Sequence, residues 1–333
     1  MKHGKHVAVV GATGAVGREI LLCLERRGWK PSEVRLLASA RSAGRELPFA
    51  GGSRAVEELR PESFRGVDVA LFSAGSAISR EFAPHAAQAG AVVIDNSSAF
   101  RMDEDVPLVV PEINAEDVRL AARKIIANPN CTTIVTLMAL APLHRAFHCR
   151  QVIASSYQAV SGSGAQGIVE LEQQVQASVR GEALTLQVYP RQIAFNVIPQ
   201  VEAFIDNGYT REEMKMQNES RKILHAPELR VSATCVRVPV YRSHSVSVTA
   251  VFEGAPDPGR AREVLAAAPG IQVMDDIAAG SYPTPLDAAN GDDCLVGRIR
   301  VDLALDNALA FWVVGDQVRK GAALNAVQIA EIL

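Results

Sequence analysis

A cysteine in the middle of the chain is the side chain best suited to nucleophilic chemistry. Cys131 directly follows Asn128-Pro129-Asn130, and the apolar residues 134–143 predict a helix that begins near it. The N–H groups and the dipole at a helix start favour an anion, so a thiol there ionises more easily, and the thiolate is the nucleophile. A buried cysteine with only a packing role is the alternative, and this segment alone does not decide between the two.

Nucleophilic chemistry on an acyl group or an aldehyde also needs a proton carrier and anion sites. His244 precedes a predicted strand at residues 245–252, where a side chain can project from a sheet end; a surface or structural histidine is the alternative. Arg237 lies inside a predicted strand at residues 231–240. An unpaired charge is costly there, so Arg237 either reaches solvent or binds an anion.

Two further polar features have a plain interpretation beside the functional one. Glu219 and Lys222 are three residues apart on a predicted helix at 211–224 and so share a face, which indicates at least a surface ion pair worth under roughly 1 kcal/mol. The Ser-Gly-Ser-Gly segment at 161–164 follows a predicted strand. It is suited either to a simple turn or to close approach by a ligand.

A glycine-rich loop near the N-terminus predicts a nucleotide site. Gly11, Gly14 and Gly17 follow an apolar run at residues 6–10 that is typical of a buried parallel strand, and a helical pattern comes next. Such a loop lets backbone N–H groups approach a pyrophosphate at a helix N-terminus. The spacing is GxxGxxG rather than GxGxxG, and a tight strand-to-helix turn is the alternative.

The end of the second predicted strand, residues 34–37, favours NADP over NAD. NAD sites usually offer a carboxylate there to the ribose 2′-hydroxyl, whereas this chain has none until Glu46. Arg41, helped by the hydroxyls of Ser39 and Ser42, can instead pair with a 2′-phosphate. A solvated loop arginine is the alternative.

The fold class predicted from these patterns is α/β, with two domains. Alternating strands and helices in the N-terminal third indicate a doubly wound, mostly parallel Rossmann-type sheet in which Cys23 belongs to the core. Longer strands from about residue 145 indicate a second α+β domain with a mainly antiparallel sheet. We expect residues 1–127 with 315–333 to form the first domain and residues 128–314 the second, and a terminal helix over 321–333.

Composition excludes several classes of protein. The 333 residues carry a net charge of −3, which gives no electrostatic case for nucleic acid, and no apolar run reaches the length of a membrane span. Five scattered cysteines suit a reducing compartment better than a disulfide framework, so a cytoplasmic protein is expected.

Eight short motifs, in this order and spacing, carry a family resemblance. They are residues 11–17 (GATGAVG), 95–101 (DNSSAFR), 110–114 (VPEIN), 126–131 (IANPNC), 158–162 (QAVSG), 214–219 (MKMQNE), 235–239 (CVRVP) and 320–323 (KGAA). Together they resemble the bacterial aspartate-β-semialdehyde dehydrogenase family along nearly the whole chain. The resemblance implies NADPH-dependent conversion of L-aspartyl 4-phosphate to aspartate semialdehyde and phosphate, in the biosynthesis of lysine, threonine, methionine and isoleucine.

The resemblance also implies roles for individual residues in the reaction. Cys131 would be the nucleophile and His244 the general acid/base, with Gln158 orienting the reacting groups and Asn130 shaping the oxyanion site. The substrate would be held by Arg237 at its α-carboxylate, by Glu219 at its amino group, and by Arg101 and Lys222 at the departing phosphate.

The same resemblance implies the cofactor site and the assembly. A homodimer formed through the second domain is expected, and no metal. The implied NADP contacts are Gly11, Thr13, Gly14, Ala15, Val16, Ser39, Arg41, Ser42, Ser73, Ala74, Gly75, Ser161, Gly162 and Asn325. The chain departs from the family pattern at Val246, Ser163 and Leu324, which puts cofactor affinity and local packing in question rather than the reaction type.

Three alternatives remain open at this point. N-acetyl-γ-glutamyl-phosphate reductase shares the cofactor, the nucleophile and the acyl phosphate, but its substrate has no free amino group for Glu219 to bind. A catalytically silent paralogue would have lost at least one reacting side chain. A redox sensor built on Cys131 would need a resolving thiol, for which Cys149 or Cys235 is available.

Overall fold

The computed structural model describes residues 4–30 and 33–333, which form two compact units. Unit 1 comprises Met1–Asn130 with Ala322–Leu333, and unit 2 comprises Cys131–Gly321. Both boundaries lie a few residues C-terminal of the domain boundaries expected from the sequence. The reason is local: Gly321, which follows the last strand of unit 2, packs directly on Cys131.

Unit 1 is built on a sheet of seven strands within the described residues. They are β1 (Val7–Val10), β2 (Val34–Ala38), β3 (Glu46–Phe49), β4 (Gly52–Glu58), β5 (Val69–Phe72), β6 (Val92–Asp95) and β7 (Ile125–Ala127). Their spatial order is β3-β4-β2-β1-β5-β6-β7; β3 and β4 form an antiparallel hairpin and every other pair is parallel. Without the hairpin strand this is the 3-2-1-4-5-6 order of dinucleotide-binding sheets, so the predicted Rossmann-type sheet is confirmed.

The apolar run that predicts the first strand explains why it is central. All four residues of β1 are buried between two parallel neighbours, β2 and β5. The helix that follows, α1 (Ala15–Arg26), buries Ile20, Cys23 and Leu24 in the core of unit 1. The predicted core position of Cys23 is therefore confirmed, and each large apolar side chain buried here contributes about 1.5–3 kcal/mol.

Unit 2 contains a mixed sheet. Its strands are β8 (Cys149–Gln158), β9 (Arg230–Arg237), β10 (His244–Phe252), β11 (Ile271–Val273), β12 (Cys294–Val301) and β13 (Ala308–Gly315). They are ordered β11-β12-β13-β10-β8-β9. The β8/β10, β10/β13 and β12/β13 pairs are antiparallel and the two others are parallel, which confirms the predicted mainly antiparallel sheet.

The remaining helices pack on these sheets. They are α2 (Ser76–Gln88), α3 (Pro111–Asn114), α4 (Cys131–Phe147), α5 (Ala165–Arg180), α6 (Arg211–Ile223), α7 (Pro258–Ala266), α8 (Pro285–Ala288) and α9 (Leu324–Ile332). From Thr132 to Ala141 every residue of α4 is buried, as expected of a helix that is apolar around its circumference. In the described part of the chain, no helix is both long enough and apolar enough to cross a membrane.

The structure differs from the sequence predictions mainly at element ends. The strand expected over 231–240 ends at Arg237, and the one expected from residue 245 begins at His244. The helix expected from residue 321 begins at Leu324, because a π-helical turn, Arg319–Ala323, precedes it. Such turns widen a helix by one residue and are often found at functional sites.

Candidate active site

Cys131 is the first residue of α4, and its side chain is partly exposed. The helix start expected from the sequence is therefore confirmed. The first N–H groups of a helix have no partner within it and carry the positive end of its dipole, so negative charge on the Cys131 sulfur is favoured here. A partly exposed thiol at the start of a buried helix is not explained by packing alone.

Gly321 lies against Cys131. A Cβ atom on Gly321 would be 2.9 Å from the Cβ of Cys131 and 3.3 Å from its Cα, distances too short for ordinary packing. Only glycine therefore lets this segment approach the nucleophile without displacing it.

We expect Gly321→Ala to lower kcat about 10- to 100-fold, because a small displacement of a reacting group is enough for such a loss. Gly254→Ala is the matched control, since a Cβ at Gly254 meets no atom within 4 Å. Steady-state kinetics and the rate of Cys131 alkylation measure the effect. Equal kcat values for the two variants would show that the close contact has no catalytic consequence.

Three of the predicted residues meet where strands of unit 2 end. Gln158 is the last residue of β8, Arg237 the last of β9 and His244 the first of β10. Gln158 is the register partner of His244 across the antiparallel pair and of Arg237 across the parallel pair. Register partners project from the same face of a sheet, so the three side chains are neighbours.

His244 is fully buried, and its ring has a defined orientation. The backbone N–H of Ala159 donates to Nδ1 over 3.1 Å, so a neutral ring carries its hydrogen on Nε2. Nε2 is buried and has no hydrogen-bond partner among the described residues. Burial and the positive charge of Arg237 lower the pKa of His244 to about 3, although the carboxylate of Glu212 acts in the opposite direction. The imidazole is therefore neutral at physiological pH and can donate from Nε2.

Arg237 is buried at the end of its strand rather than exposed at an edge. Its Nη1 donates to the carbonyl oxygen of Ala159 over 2.7 Å. A Cβ on Gly162 would lie 2.6 Å from Arg237 Nη1 and 3.4 Å from His244 Nε2, so this glycine closes over both groups. Of the two possibilities that the sequence left for Arg237, the buried position favours an anion site.

The Ser-Gly-Ser-Gly segment forms a short 3-10 turn that is tied to the strand end beside it. Ser161 Oγ accepts from the side-chain amide of Gln317, whose Oε1 accepts from the Ser243 N–H over 2.7 Å. Ser243 has a positive φ of 75°, which is uncommon for a residue with a side chain and is typical of constrained functional sites. These contacts set the position of His244.

Helix α6 presents charged side chains to the interior. Glu212 and Glu219 are 4% and 2% exposed, and a spacing of seven residues places them on one face of the helix. Lys222 is half-buried near the C-terminal end. Because Glu219 is buried, an ion pair of Glu219 with Lys222 would not lie at the protein surface, as the plain interpretation of the sequence has it.

Glu212 and Thr132 belong to this site although sequence reasoning missed them. Glu212 accepts hydrogen bonds from Gln158 and from Thr132, the residue after the nucleophile. A signal was available: α6 has only Met214, Met216 and Ile223 as apolar residues, so a packed helix of this composition must bury charged side chains.

The two thiols available from the sequence as redox partners, Cys149 and Cys235, are poorly suited to that role. Cys149 is at the far end of β8 from Gln158, and burial raises the pKa of its thiol to about 12. Burial likewise raises the pKa of the Cys235 thiol. Because the thiolate is the attacking species, these protonated thiols weigh against a redox sensor.

The predicted nucleotide loops of unit 1 lie together at the carboxyl ends of adjacent strands. Gly11 has a φ of 84°, and a Cβ there would be 2.9–3.0 Å from the backbone of Ser73 and Ala74. A Cβ on Gly17 would be 2.2 Å from the carbonyl oxygen of Gly11. Gly14 is the N-cap residue of α1 and makes no side-chain hydrogen bond to the helix. The backbone N–H groups of the first turn, at Ala15 and the residues after it, are therefore left for an anion. Half-buried Thr13 and Val16 and exposed Gly75 complete these loops.

The residues predicted to select NADP follow β2. Ser39 and Arg41 are exposed and Ser42 is half-buried in a short 3-10 turn at Ala40–Ser42. The side chains are therefore accessible to a ligand. The edge of the sheet beyond them is formed by β4 and β3.

Arg101, Asn130 and Asn325 lie within unit 1. Arg101 is buried and donates from Nε to the Asn128 carbonyl over 2.9 Å and from Nη2 to the Asn96 carbonyl over 2.8 Å. Asn325, on α9, donates to the side-chain oxygen of Asn128 over 2.7 Å. Asn130 is buried. These contacts brace the segment that leads into Cys131.

The three departures from the family pattern have ordinary surroundings. Val246 is buried on the same face of β10 as His244, and Leu324 is buried in the core of unit 1. Ser163 lies near the hydroxyl of Tyr189, which donates to the carbonyl oxygen of Val160 over 3.1 Å. None of the three removes a polar contact described above.

Two family models match the chain. Residues 6–121 match the NAD binding domain of semialdehyde dehydrogenases, and residues 140–320 match their dimerisation domain. An aspartate-semialdehyde dehydrogenase from Aquifex aeolicus is 51% identical over 333 residues, covering 99% of this chain and 98% of the relative.

Solved structures agree with these matches. Aspartate semialdehyde dehydrogenase II from Vibrio cholerae, complexed with ASA, has a TM-score of 0.96 at 44% identity, covering 99% of this chain and 98% of that one. Aspartate semialdehyde dehydrogenase with NADP from Candida albicans has a TM-score of 0.77 at 27% identity, covering 99% of this chain and 98% of that one.

Proposed function

Because the chain belongs to the aspartate-semialdehyde dehydrogenase family, we propose that it catalyses the NADPH-dependent reductive dephosphorylation of L-aspartyl 4-phosphate to L-aspartate 4-semialdehyde. This reaction serves the biosynthesis of lysine, threonine, methionine and isoleucine. The observation that carries the residue assignment is the cluster of Gln158, Arg237 and His244 at one end of the sheet, linked through Glu212 to the residue after Cys131.

Cys131 is the nucleophile in this proposal. Its thiolate forms a bond to the acyl carbon of the substrate, the bond from that carbon to the phosphate oxygen breaks, and phosphate leaves with the electron pair. The product is a thioester on Cys131. The start of α4 favours the negative sulfur before attack and again when it departs.

His244 is the proton carrier. Its neutral ring donates from Nε2, and a negatively charged oxygen on the substrate is the acceptor that this buried donor lacks. Asn130 is assigned to the same oxygen. Donors aimed at such an oxyanion are typically worth about 3–4 kcal/mol.

The substrate's charged groups have matching partners. Arg237 is assigned to the α-carboxylate, because a guanidinium matches a carboxylate in two parallel hydrogen bonds. Glu219 is assigned to the amino group, and its burial strengthens attraction to an ammonium. Arg101 and Lys222 are assigned to the departing phosphate. An N-acetylated substrate has no ammonium group for Glu219 to bind, so this assignment disfavours it.

The loops of unit 1 fit a dinucleotide. Gly11 and Gly17 leave no space for a Cβ, and the start of α1 has uncapped backbone donors for a pyrophosphate. The cofactor, when bound, supplies the hydride that reduces the thioester.

Arg41, Ser39 and Ser42 are proposed to bind the 2′-phosphate, so NADP is preferred to NAD. We expect Arg41→Ser to lower kcat/KM for NADPH about 10- to 100-fold, because a charge-assisted hydrogen bond is worth about 1.5–3 kcal/mol. The value for NADH should stay within about twofold of its original value, since NADH has no 2′-phosphate. Arg45→Ser, at an exposed position nearby, is the control. An equal loss with both cofactors would contradict the assignment.

We assign NADP binding to unit 1 and catalysis and dimerisation to unit 2, within a cytoplasmic homodimer. The outward face of the unit 2 sheet supports this assembly. Ile153 and Tyr157 are exposed on β8, and the ring of Tyr157 lies 5.3 Å from that of half-buried Trp312 on β13. Such an apolar face is favourable to cover with a second copy.

The activity is tested with L-aspartate 4-semialdehyde and NADP in the presence and absence of inorganic phosphate, following NADPH formation. We expect reduction of NADP only with phosphate, because phosphate must release the acyl group from Cys131. N-acetylglutamate semialdehyde is the comparison substrate. Phosphate-dependent turnover of the acetylated aldehyde, without turnover of the aspartate compound, would overturn the proposal.

A further inference from the structure

We propose that Glu212 is a positioning residue that determines which end of the Gln158 side-chain amide is available to the substrate. This inference rests on the proposed function and concerns the same site. Glu212 is in the first turn of α6, whose N-terminal dipole favours a buried carboxylate. Lys215, one turn later, donates to Glu212 Oε2 over 3.2 Å and partly balances its charge.

The contacts of Gln158 give the amide a direction. Its Nε2 donates to Glu212 Oε1 over 3.2 Å and to Ser156 Oγ over 3.2 Å, so both amide hydrogens are used. An ionised carboxylate only accepts, so the reversed amide would place its oxygen against the carboxylate oxygen. The reversed orientation is therefore excluded by repulsion as well as by loss of a charge-assisted bond.

The consequence is that Gln158 offers Oε1, a hydrogen-bond acceptor, to whatever binds beside it. Gln158 lies between His244 and Arg237, both of which offer donors. An acceptor between two donors suits a substrate that carries an ammonium as well as a carboxylate. The opposite orientation would present an N–H group, rather than an acceptor, to that ammonium.

Glu212 also connects this amide to the nucleophile. Thr132 Oγ1 donates to the same Oε1 atom over 3.4 Å, and the Thr132 carbonyl accepts from Thr136 Oγ1 over 2.8 Å within α4. One carboxylate oxygen therefore joins the first turn of the Cys131 helix to the end of β8. The orientation of Gln158 and the start of α4 are held by a common atom.

The test is the isosteric variant Glu212→Gln, assayed in the full-length enzyme with aspartate semialdehyde, phosphate and NADP. The neutral side-chain amide of glutamine at position 212 can either accept a hydrogen bond from Gln158 or donate one to it. The orientation of the Gln158 side-chain amide is then no longer determined. We expect kcat to fall about 10- to 100-fold, as for other losses of positioning. The same substitution in a Gln158→Ala background should have an effect below about twofold, because the residue it positions is absent.

Glu213→Gln is the matched control. Glu213 is also buried, but its carboxylate accepts from the backbone N–H groups of Thr210 and Cys235, whereas the amide of Gln158 donates to Glu212 and Ser156. We expect it to lower the melting temperature while kcat stays within about twofold. If Glu212→Gln does not fold, the exchanged pair Glu212→Gln with Gln158→Glu replaces it, since donor and carboxylate then swap places. The kcat of the exchanged pair should be at least about tenfold higher than the kcat of Gln158→Glu alone.

The outcomes separate this inference from the proposed function. If the wild-type protein lacks phosphate-dependent turnover, the proposed function fails whatever Glu212 does. If the wild-type protein is active and Glu212→Gln keeps its kcat, the positioning role is overturned. An equal loss in the Gln158→Ala background, or no recovery in the exchanged pair, also overturns it.

Discussion

Cys131→Ser is expected to lower phosphate-dependent kcat by at least about 10³-fold, because a serine hydroxyl at the same position is not ionised at neutral pH and forms no thioester. Cys131 is the one partly exposed thiol among the described residues, and it begins α4. The rate of NADPH oxidation with aspartyl phosphate and the rate of the reverse reaction should fall together, since both directions pass through the same sulfur.

The control for this prediction is Cys149→Ala. Cys149 is buried at the opposite end of β8 from Gln158, so its removal should leave kcat within about twofold. Alkylation by iodoacetamide should inactivate the wild-type and Cys149→Ala proteins at equal rates, while NADP still binds to Cys131→Ser. Substantial turnover by Cys131→Ser would remove the basis of the proposed mechanism.

His244→Gln is expected to have two opposite effects. Activity should fall about 10²- to 10⁴-fold, because a positioned proton carrier contributes a factor of that size. In the wild-type protein the free energy of unfolding should be lower at pH 5 than at neutral pH. In His244→Gln this decrease should be smaller. Glutamine keeps an oxygen that can accept from the Ala159 N–H, so the local fold is preserved.

The acid effect follows from the direction of the pKa shift. The pKa of His244 in the folded protein is about 3, against an ordinary value of 6.5, so between these values the unfolded chain binds a proton that the folded chain does not. Stability is therefore fully present above pH 6.5 and is lost as the pH falls towards 3, by about 1.4 kcal/mol per pH unit from this group. Between pH 6.5 and 5 the free energy of unfolding of the wild-type protein should fall by about 2 kcal/mol because of this group, and His244→Gln should not show this part of the decrease.

Urea unfolding of both proteins at the two pH values measures this difference. Burial also lowers the pKa of His144, which acts in the same direction in both proteins and cancels in the comparison. His148→Gln, at an exposed position, is the control and should behave as the wild-type protein does. Equal losses of stability in His244→Gln and the wild-type protein would show that the buried ring is not the group concerned.

Local patterns in the sequence predicted most of the secondary-structure elements and the position of Cys131. The apolar run before Gly11 and the glycine spacing after it specify a buried strand, a turn and a helix, because each depends on neighbouring residues alone. The Asn-Pro-Asn segment placed Cys131 at a helix start by the same local logic. The alternation at residues 246–252 identified a strand with one buried face.

Tertiary structure alone decided which of these residues meet. Gln158 lies tens of residues before Arg237 and His244 in the chain, and only the register of three strands makes the three side chains neighbours. The close packing of Gly321 on Cys131 and the link from Glu212 to Gln158 likewise depend on how helices and loops pack on the sheet. A sequence states which side chains can donate, accept or attack. Burial, tautomer and amide direction depend on partners distant in the chain, so the folded protein sets them.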